Sequence, residues 1–168
     1  MSFDLSELSM EKALSMAIRA EKDAADIYRR LNDKIQNFVL KEKIYFLIGE
    51  EEKHQRLLEA LFEKMFPEQT PDDVKETLVP NMNVAVGGGD SVPDLLKQAM
   101  DAELIFESFY QQLSDKVEDS GMKKILHQLS KMEHGHFDLL NKEYENCLKD
   151  EEYYTRGDFE YDMVHIGP

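Results

Sequence analysis

Apolar residues return every three or four positions in four stretches of the chain, the spacing that lines them along one face of an α-helix. In the first stretch they are Leu14, Ala17, Ile18, Ala24, Ala25, Tyr28, Leu31 and Ile35, which predicts a helix over 9–35. Ser9 suits its N-cap, because the hydroxyl can accept from a backbone NH left unpaired in the first turn, and Glu11 suits the helix dipole. A very short turn near Asn37 leads into a second stretch, with Ile44, Leu47, Ile48, Leu58, Leu61, Phe62 and Met65 on one face and Pro67 as its stop. The third runs from about Pro93 to Lys116, carrying Leu96, Ala99, Met100, Phe106, Tyr110, Leu113 and Val117. The fourth starts near Ser120 and reaches about Leu148, with Met122, Ile125, Leu126, Leu129, Met132, Leu139, Leu140 and Tyr144 inward.

Between Pro67 and Ser91 the pattern breaks, with Pro71, Pro80 and the run Gly87, Gly88, Gly89, although Thr70 to Asp73 could open one short helical turn. Residues 151–168 are acidic and aromatic and are expected to form an extended arm. Connections that are short, long and short predict an all-α bundle over residues 1–150, made of two helical hairpins, about 10–66 and 92–148, joined by a crossover. A helix of 28 residues is roughly 42 Å long, which a linker of two dozen residues can retrace.

The chain also repeats itself. At an offset of 82 positions Ala17-Ile-Arg-Ala-Glu21 meets Ala99-Met-Asp-Ala-Glu103, and Tyr28 meets Tyr110. Glu51 then falls on Glu133, His54 on His136, and Leu57-Leu58 on Leu139-Leu140, with no gap. A duplicated hairpin brings like faces together, so a site between the copies should be close to two-fold symmetric.

That interior would hold charge. Glu21 and Glu103 lie in register with the apolar stripes of helices 1 and 3, while Glu51 with His54, and Glu133 with His136, occupy inward positions on helices 2 and 4. Taking one unpaired carboxylate out of water costs several kcal/mol, and four together repel one another, so the arrangement needs a cation. Two divalent ions balance four carboxylates if both histidines are neutral. One Glu from each of two helices, plus a Glu-x-x-His from each of the others, is the set that holds two irons or two manganese ions in bundles of this kind. Tyr28 and Tyr110 follow their glutamates by two turns, where a phenol could hydrogen-bond a ligand carboxylate. Glu50, Glu52, Glu63 and Glu107 fall off the stripes, as do His127 and His134; His165 sits in the tail, and all seven read as solvated. Cys147, beyond the site on helix 4, reads as structural.

Charge narrows the partners. Among 168 residues, 35 acidic and 20 basic side chains give a formal net charge of -15, which repels a phosphate backbone and argues against nucleic acid. A single cysteine excludes both an intrachain disulfide and a four-thiolate centre. With no apolar run of signal-peptide or membrane-spanning length, the expectation is a soluble cytoplasmic protein.

Over residues 10–148 these motifs resemble the rubrerythrin and bacterioferritin branch of the ferritin-like superfamily. The resemblance implies a ferritin-like up-down-down-up four-helix bundle with the long crossover between helices 2 and 3. It further implies that Glu51 and Glu133 bridge two metals, that Glu21 and Glu103 are terminal ligands, and that His54 and His136 bind one metal each. Iron is the implied metal, with manganese or zinc as alternatives, and hydrogen peroxide or dioxygen the co-substrate. Two positions depart from the pattern. Phe106 stands where rubrerythrins carry a further carboxylate, one turn after the helix 3 glutamate, and Cys147 alone cannot build a rubredoxin domain. Electrons are therefore expected from a separate, rubredoxin-like donor. The alternatives are a ferroxidase or iron store, and a metal-binding bundle without redox chemistry. A homodimer is expected, with Val84, Val86 and Tyr161 as candidate contacts.

Overall fold

In a computed structural model the described residues are 8–72, 91–150 and 152–153. They form four helices, α1 (Met10–Lys34), α2 (Phe38–Met65), α3 (Val92–Lys116) and α4 (Ser120–Lys149). The boundaries follow local chemistry. Ser9 accepts from the Lys12 amide at 3.2 Å and starts α1. Ser91 and Asp94 start α3 with reciprocal bonds between side chain and backbone, and Pro93 sits in the first turn, where its missing NH is harmless. Asn37 and Asp119 cap α2 and α4 through the amides of Leu40 and Met122, at 2.9 and 2.8 Å. Each such cap is worth about 1 kcal/mol. Both pairs of caps, Ser9 with Ser91 and Asn37 with Asp119, are 82 residues apart, so the repeat includes the signals that begin the helices as well as those that bury them.

Helix α1 packs closely on α2, and α3 on α4; the hairpins then meet through α1 against α3 and α2 against α4. Contacts between the hairpins fix the directions. Tyr28 reaches Glu103 while Tyr110 reaches Glu21, so α1 and α3 are antiparallel. Lys43 meets Glu143, and His54 meets Glu133, so α2 and α4 are antiparallel as well. The result is the up-down-down-up bundle, 25 to 30 residues per helix, with the core between the four rods.

The apolar stripes are buried largely as their spacing predicts. Leu14, Leu31, Ile44, Leu47, Leu58, Leu96, Phe106, Leu126, Leu129 and Leu140 are fully covered. Met65, expected inward, is 39% exposed in the last turn of α2. Met100, Ile125, Met132, Leu139 and Tyr144 are half-buried at the margins. Thr70, Pro71 and Asp72 are not helical, and Asp73, where the expected turn would continue, lies outside the described residues; the Asp72 amide donates to Ser15 Oγ, tying the start of the crossover to α1. The rest of the crossover and tail, including Val84, Val86, Tyr161 and His165, lies outside the described residues. Among the described residues no helix is long and apolar enough to cross a membrane.

Candidate metal centre

All six predicted ligands meet in the interior. Glu21, Glu51, Glu103 and Glu133 are 0% exposed, and His54 and His136 are buried beside them. Helical phase accounts for this, since each carboxylate stands among core residues of its own helix: Glu51 between Leu47 and Leu58, Glu133 between Leu129 and Leu140.

The geometry divides into two like halves. His54 Nδ1 lies 3.1 Å from Glu133 Oε1, 3.3 Å from Glu51 Oε2 and 3.6 Å from Glu21 Oε2. His136 Nδ1 lies 2.9 Å from Glu51 Oε1, 3.2 Å from Glu133 Oε2 and 3.7 Å from Glu103 Oε2. Glu51 and Glu133 thus each turn one oxygen toward either histidine, whereas Glu21 and Glu103 serve one half each. The two imidazoles stack at 5.4 Å, 15° from parallel. Ligand atoms of Glu51, His54, Glu133 and His136 all fall within 4.8 Å of one another.

Most of these atoms lack a hydrogen-bond partner. Both oxygens of Glu51 and of Glu133, Oε2 of Glu21 and of Glu103, both nitrogens of His54 and Nδ1 of His136 are buried and unsatisfied. Donor atoms crowded into one buried space are what a metal cation would satisfy, so the donor set fits a metal pair. The remaining oxygens of the outer carboxylates are taken: Tyr28 donates to Glu103 Oε1, and Tyr110 donates to Glu21 Oε1. Each phenol crosses to the other hairpin instead of serving its own helix, a pairing that sequence spacing alone left open.

Residues 12–144 match the sequence profile of the rubrerythrin family. The chain belongs to that family. Its fold is close to that of a solved structure, a hypothetical protein from Pyrococcus furiosus, with 36% identity, a TM-score of 0.81, and coverage of 87% of this chain and 94% of that one. No curated protein matches. A rubrerythrin-family bundle with this Glu and His cluster is a candidate di-metal protein.

Electrostatics at the rubrerythrin centre follow from burial and from shared charge. Burial lifts the Glu21 carboxyl well above the usual carboxylate range, and the charge of Glu133 adds to it. Glu103 rises likewise, through burial and then Glu51. Burial also pushes Glu51 upward, but the imidazoles of His136 and His54 outweigh it and hold the group at about 2. For His54 burial opposes the charged form, yet Glu133, Glu21 and Glu51 together raise it to about 12. His136 is raised in the same way by Glu103, Glu133 and Glu51. The cluster of carboxyl groups therefore favours positive charge at both imidazole positions, and a metal must compete there with protons. Tyr28 and Tyr110 are raised by burial and by their partner carboxylates, which keeps both phenols protonated as donors.

The off-stripe groups mostly lie outside, as expected. His127 and His134 are exposed on α4, the latter 3.1 Å from Glu107, and Glu63 is exposed. Glu50 departs from that expectation: its side chain is 13% exposed and paired with Lys53. One buried acid escaped the sequence reading. Glu143 is 1% exposed, paired with Lys43, and accepts from the Tyr153 hydroxyl at 2.9 Å. Its position between Leu140 and Cys147, both buried, was the available signal. It anchors the start of the C-terminal segment, and Asn37 Nδ2 donates to the Tyr153 carbonyl at 3.2 Å beside it.

Proposed function

We propose that this chain is a non-haem di-iron oxidoreductase that reduces hydrogen peroxide or dioxygen with electrons from a separate donor protein. The observation that carries the reading is the division of the central carboxylates, with one oxygen of Glu51 and one of Glu133 turned to each histidine. A carboxylate so divided is suited to two ions; a single-ion site would need only one oxygen from each. Glu21 and His54 would complete one half, Glu103 and His136 the other. When bound, a pair of ferrous ions supplies two electrons, one from each, the number that peroxide reduction requires.

The protein's own contribution is placement and exclusion. Tyr28 and Tyr110 each hold one oxygen of an outer carboxylate, leaving the other directed at the centre. Leu47, Leu58, Leu129 and Leu140 bracket the inner ligands along α2 and α4 with fully buried apolar groups, which limits water at the site. Phe106, fully buried one turn after Glu103, adds no further carboxylate to that set. These residues hold one cysteine, Cys147, so electrons are assigned to a donor such as a rubredoxin-like protein.

Anaerobic, iron-loaded and reduced protein mixed with peroxide in a stopped-flow instrument should oxidise within seconds, consume one peroxide per iron pair, and turn over when a reductant is supplied. Peroxide loss no faster than that given by the same concentration of free ferrous iron would end the peroxidase reading.

A further inference from the structure

The two hairpins bury equivalent residues but carry different charges outside. On α4, Lys124, Lys131 and Lys142 are separated by two and then three helical turns, which sets them along one outward ridge, and all three are exposed. Their counterparts 82 positions earlier, on α2, are Glu42, Gly49 and Ala60. Helix formation is therefore satisfied on α2 without such a ridge, and the chain as a whole has a net charge of -15. None of the three lysines has an ion pair among the described residues. The exposed acids beside them on α4 face other partners, with Asp138 3.9 Å from His134 and Glu145 3.8 Å from Lys149.

The ridge passes over the centre where the ligands lie shallowest. His136 is 6% exposed, against 2% for His54 and 0% for each of the four carboxylates. Both ring nitrogens of His54 are buried and unpartnered; in His136 that holds only for Nδ1, the nitrogen turned to the carboxylates, so the exposed part of the side chain lies away from it. Next to His136 on the outer face is Gly135, where a Cβ would meet nothing within 4 Å, whereas the matching residue of α2 is Lys53. Glycine costs a helix about 1 kcal/mol relative to alanine, and no packing inside the chain requires it here. Between Lys131 and Lys142 it leaves the ridge low enough for another surface to approach closely.

We propose that the outward ridge of α4 is the docking seat of the electron donor, and that the donor is a one-electron redox protein with an acidic face around its own centre. The inference rests on the redox reading above. Converting one peroxide to two waters takes two electrons and two protons, so two donor molecules, or one that returns, must each leave oxidised by one electron. Such visits call for fast encounter and fast release. Exposed lysines facing acids supply the steering, and redox pairs bury areas at the low end for protein contacts, which a ridge roughly 27 Å long from Lys124 to Lys142 suits. Electron transfer weakens steeply with distance, and a donor seated here stands over the most exposed of the ligands.

Isothermal titration of an acidic rubredoxin into the full metal-loaded chain tests the seat apart from the chemistry. Binding should weaken about tenfold or more between about 20 and 200 mM salt. Lys124→Glu, Lys131→Glu and Lys142→Glu should each weaken it roughly tenfold, with helix content and metal content unchanged. A carbodiimide, which joins a lysine to a carboxylate in contact with it, should link acids of the donor to these three lysines. No binding, or binding indifferent to all three reversals, overturns the seat even where peroxide oxidises the reduced wild type as the redox reading requires. Cross-links from these lysines to carboxylates of this chain also overturn it, since the ridge would then belong to the acidic segment 151–168 or to a second copy. Ridge-dependent binding by a wild type that peroxide does not oxidise would instead end the redox reading, and the donor's role with it.

Discussion

The centre of the bundle and its periphery obey different rules. At the centre the halves are nearly interchangeable: His54 and His136 face the same two carboxylates, and each tyrosine serves the opposite hairpin. At the ends and outer faces equivalence is lost. Lys43 and Glu143 form a largely buried ion pair, whereas the residues at the corresponding positions of the other copy are Ile125 and Leu61. Those two line an apolar hollow with Met10, Met65 and Met122 at the opposite end of the bundle. The difference teaches where each constraint acts. A site for two like ions needs two like sets of ligands, but a helix end needs only to be covered, by apolar groups in one copy and by Tyr153 with an ion pair in the other.

The comparison breaks most severely if a shared ligand is removed. Glu51→Ala and Glu133→Ala should each reduce bound iron from about two ions per chain to about one or fewer, as measured by metal analysis of anaerobically loaded protein. Their effects should match, because each carboxylate serves both halves.

Acidity sharpens the same contrast. In the metal-free chain His54 is raised from 6.5 to about 12, so the native state binds the extra proton and the stability this provides is fully present below the unfolded value of 6.5. It is lost progressively as pH rises toward the folded value, and the raised carboxyls of Glu21 and Glu103 act in the same direction. From pH 6 to 9 the denaturation midpoint of metal-free protein should fall. That of metal-loaded protein should rise, because its ligands must shed those protons to bind.

Tyr28→Phe and Tyr110→Phe should each weaken metal affinity about tenfold, within the range for groups that orient ligands. Isothermal titration should find the two losses equal; a large inequality would mean that the halves are not equivalent. At the bundle end, Lys43→Ile should cost about 1–2 kcal/mol by leaving Glu143 without its cation and with only the Tyr153 hydroxyl as partner, less than a fully buried pair because Lys43 is 35% exposed. Adding Glu143→Leu, which copies the other end, should recover that loss. The smallest effect belongs to Gly135, where an added Cβ meets nothing within 4 Å; Gly135→Ala should stabilise the fold by about 0.5–1 kcal/mol in chemical denaturation.

Much of this was legible in the residues, for identifiable reasons. Ligands and stripes share one helical phase, so placing Leu47 and Leu58 inward also placed Glu51 and His54. Ser9 and Pro67 marked boundaries that the structure reproduces within a residue or two. What spacing could not supply was anything that depends on the second hairpin's position. The crossing of Tyr28 to Glu103 and the burial of Glu143 under Lys43 are contacts between hairpins, about 75 and 100 residues apart in the chain. Met65 reads as core by phase, yet in the last turn of α2 it borders the hollow at the bundle end and is 39% exposed.

The central claim is that six buried side chains hold a pair of ions and share two carboxylates between them. Anomalous diffraction at the iron edge, on crystals of anaerobically loaded protein, tests it most directly. The account predicts two peaks, one beside His54 with Glu21 and one beside His136 with Glu103, with Glu51 and Glu133 contacting both. A single peak, or iron bound away from these residues while the six side chains remain paired only with one another, would contradict it.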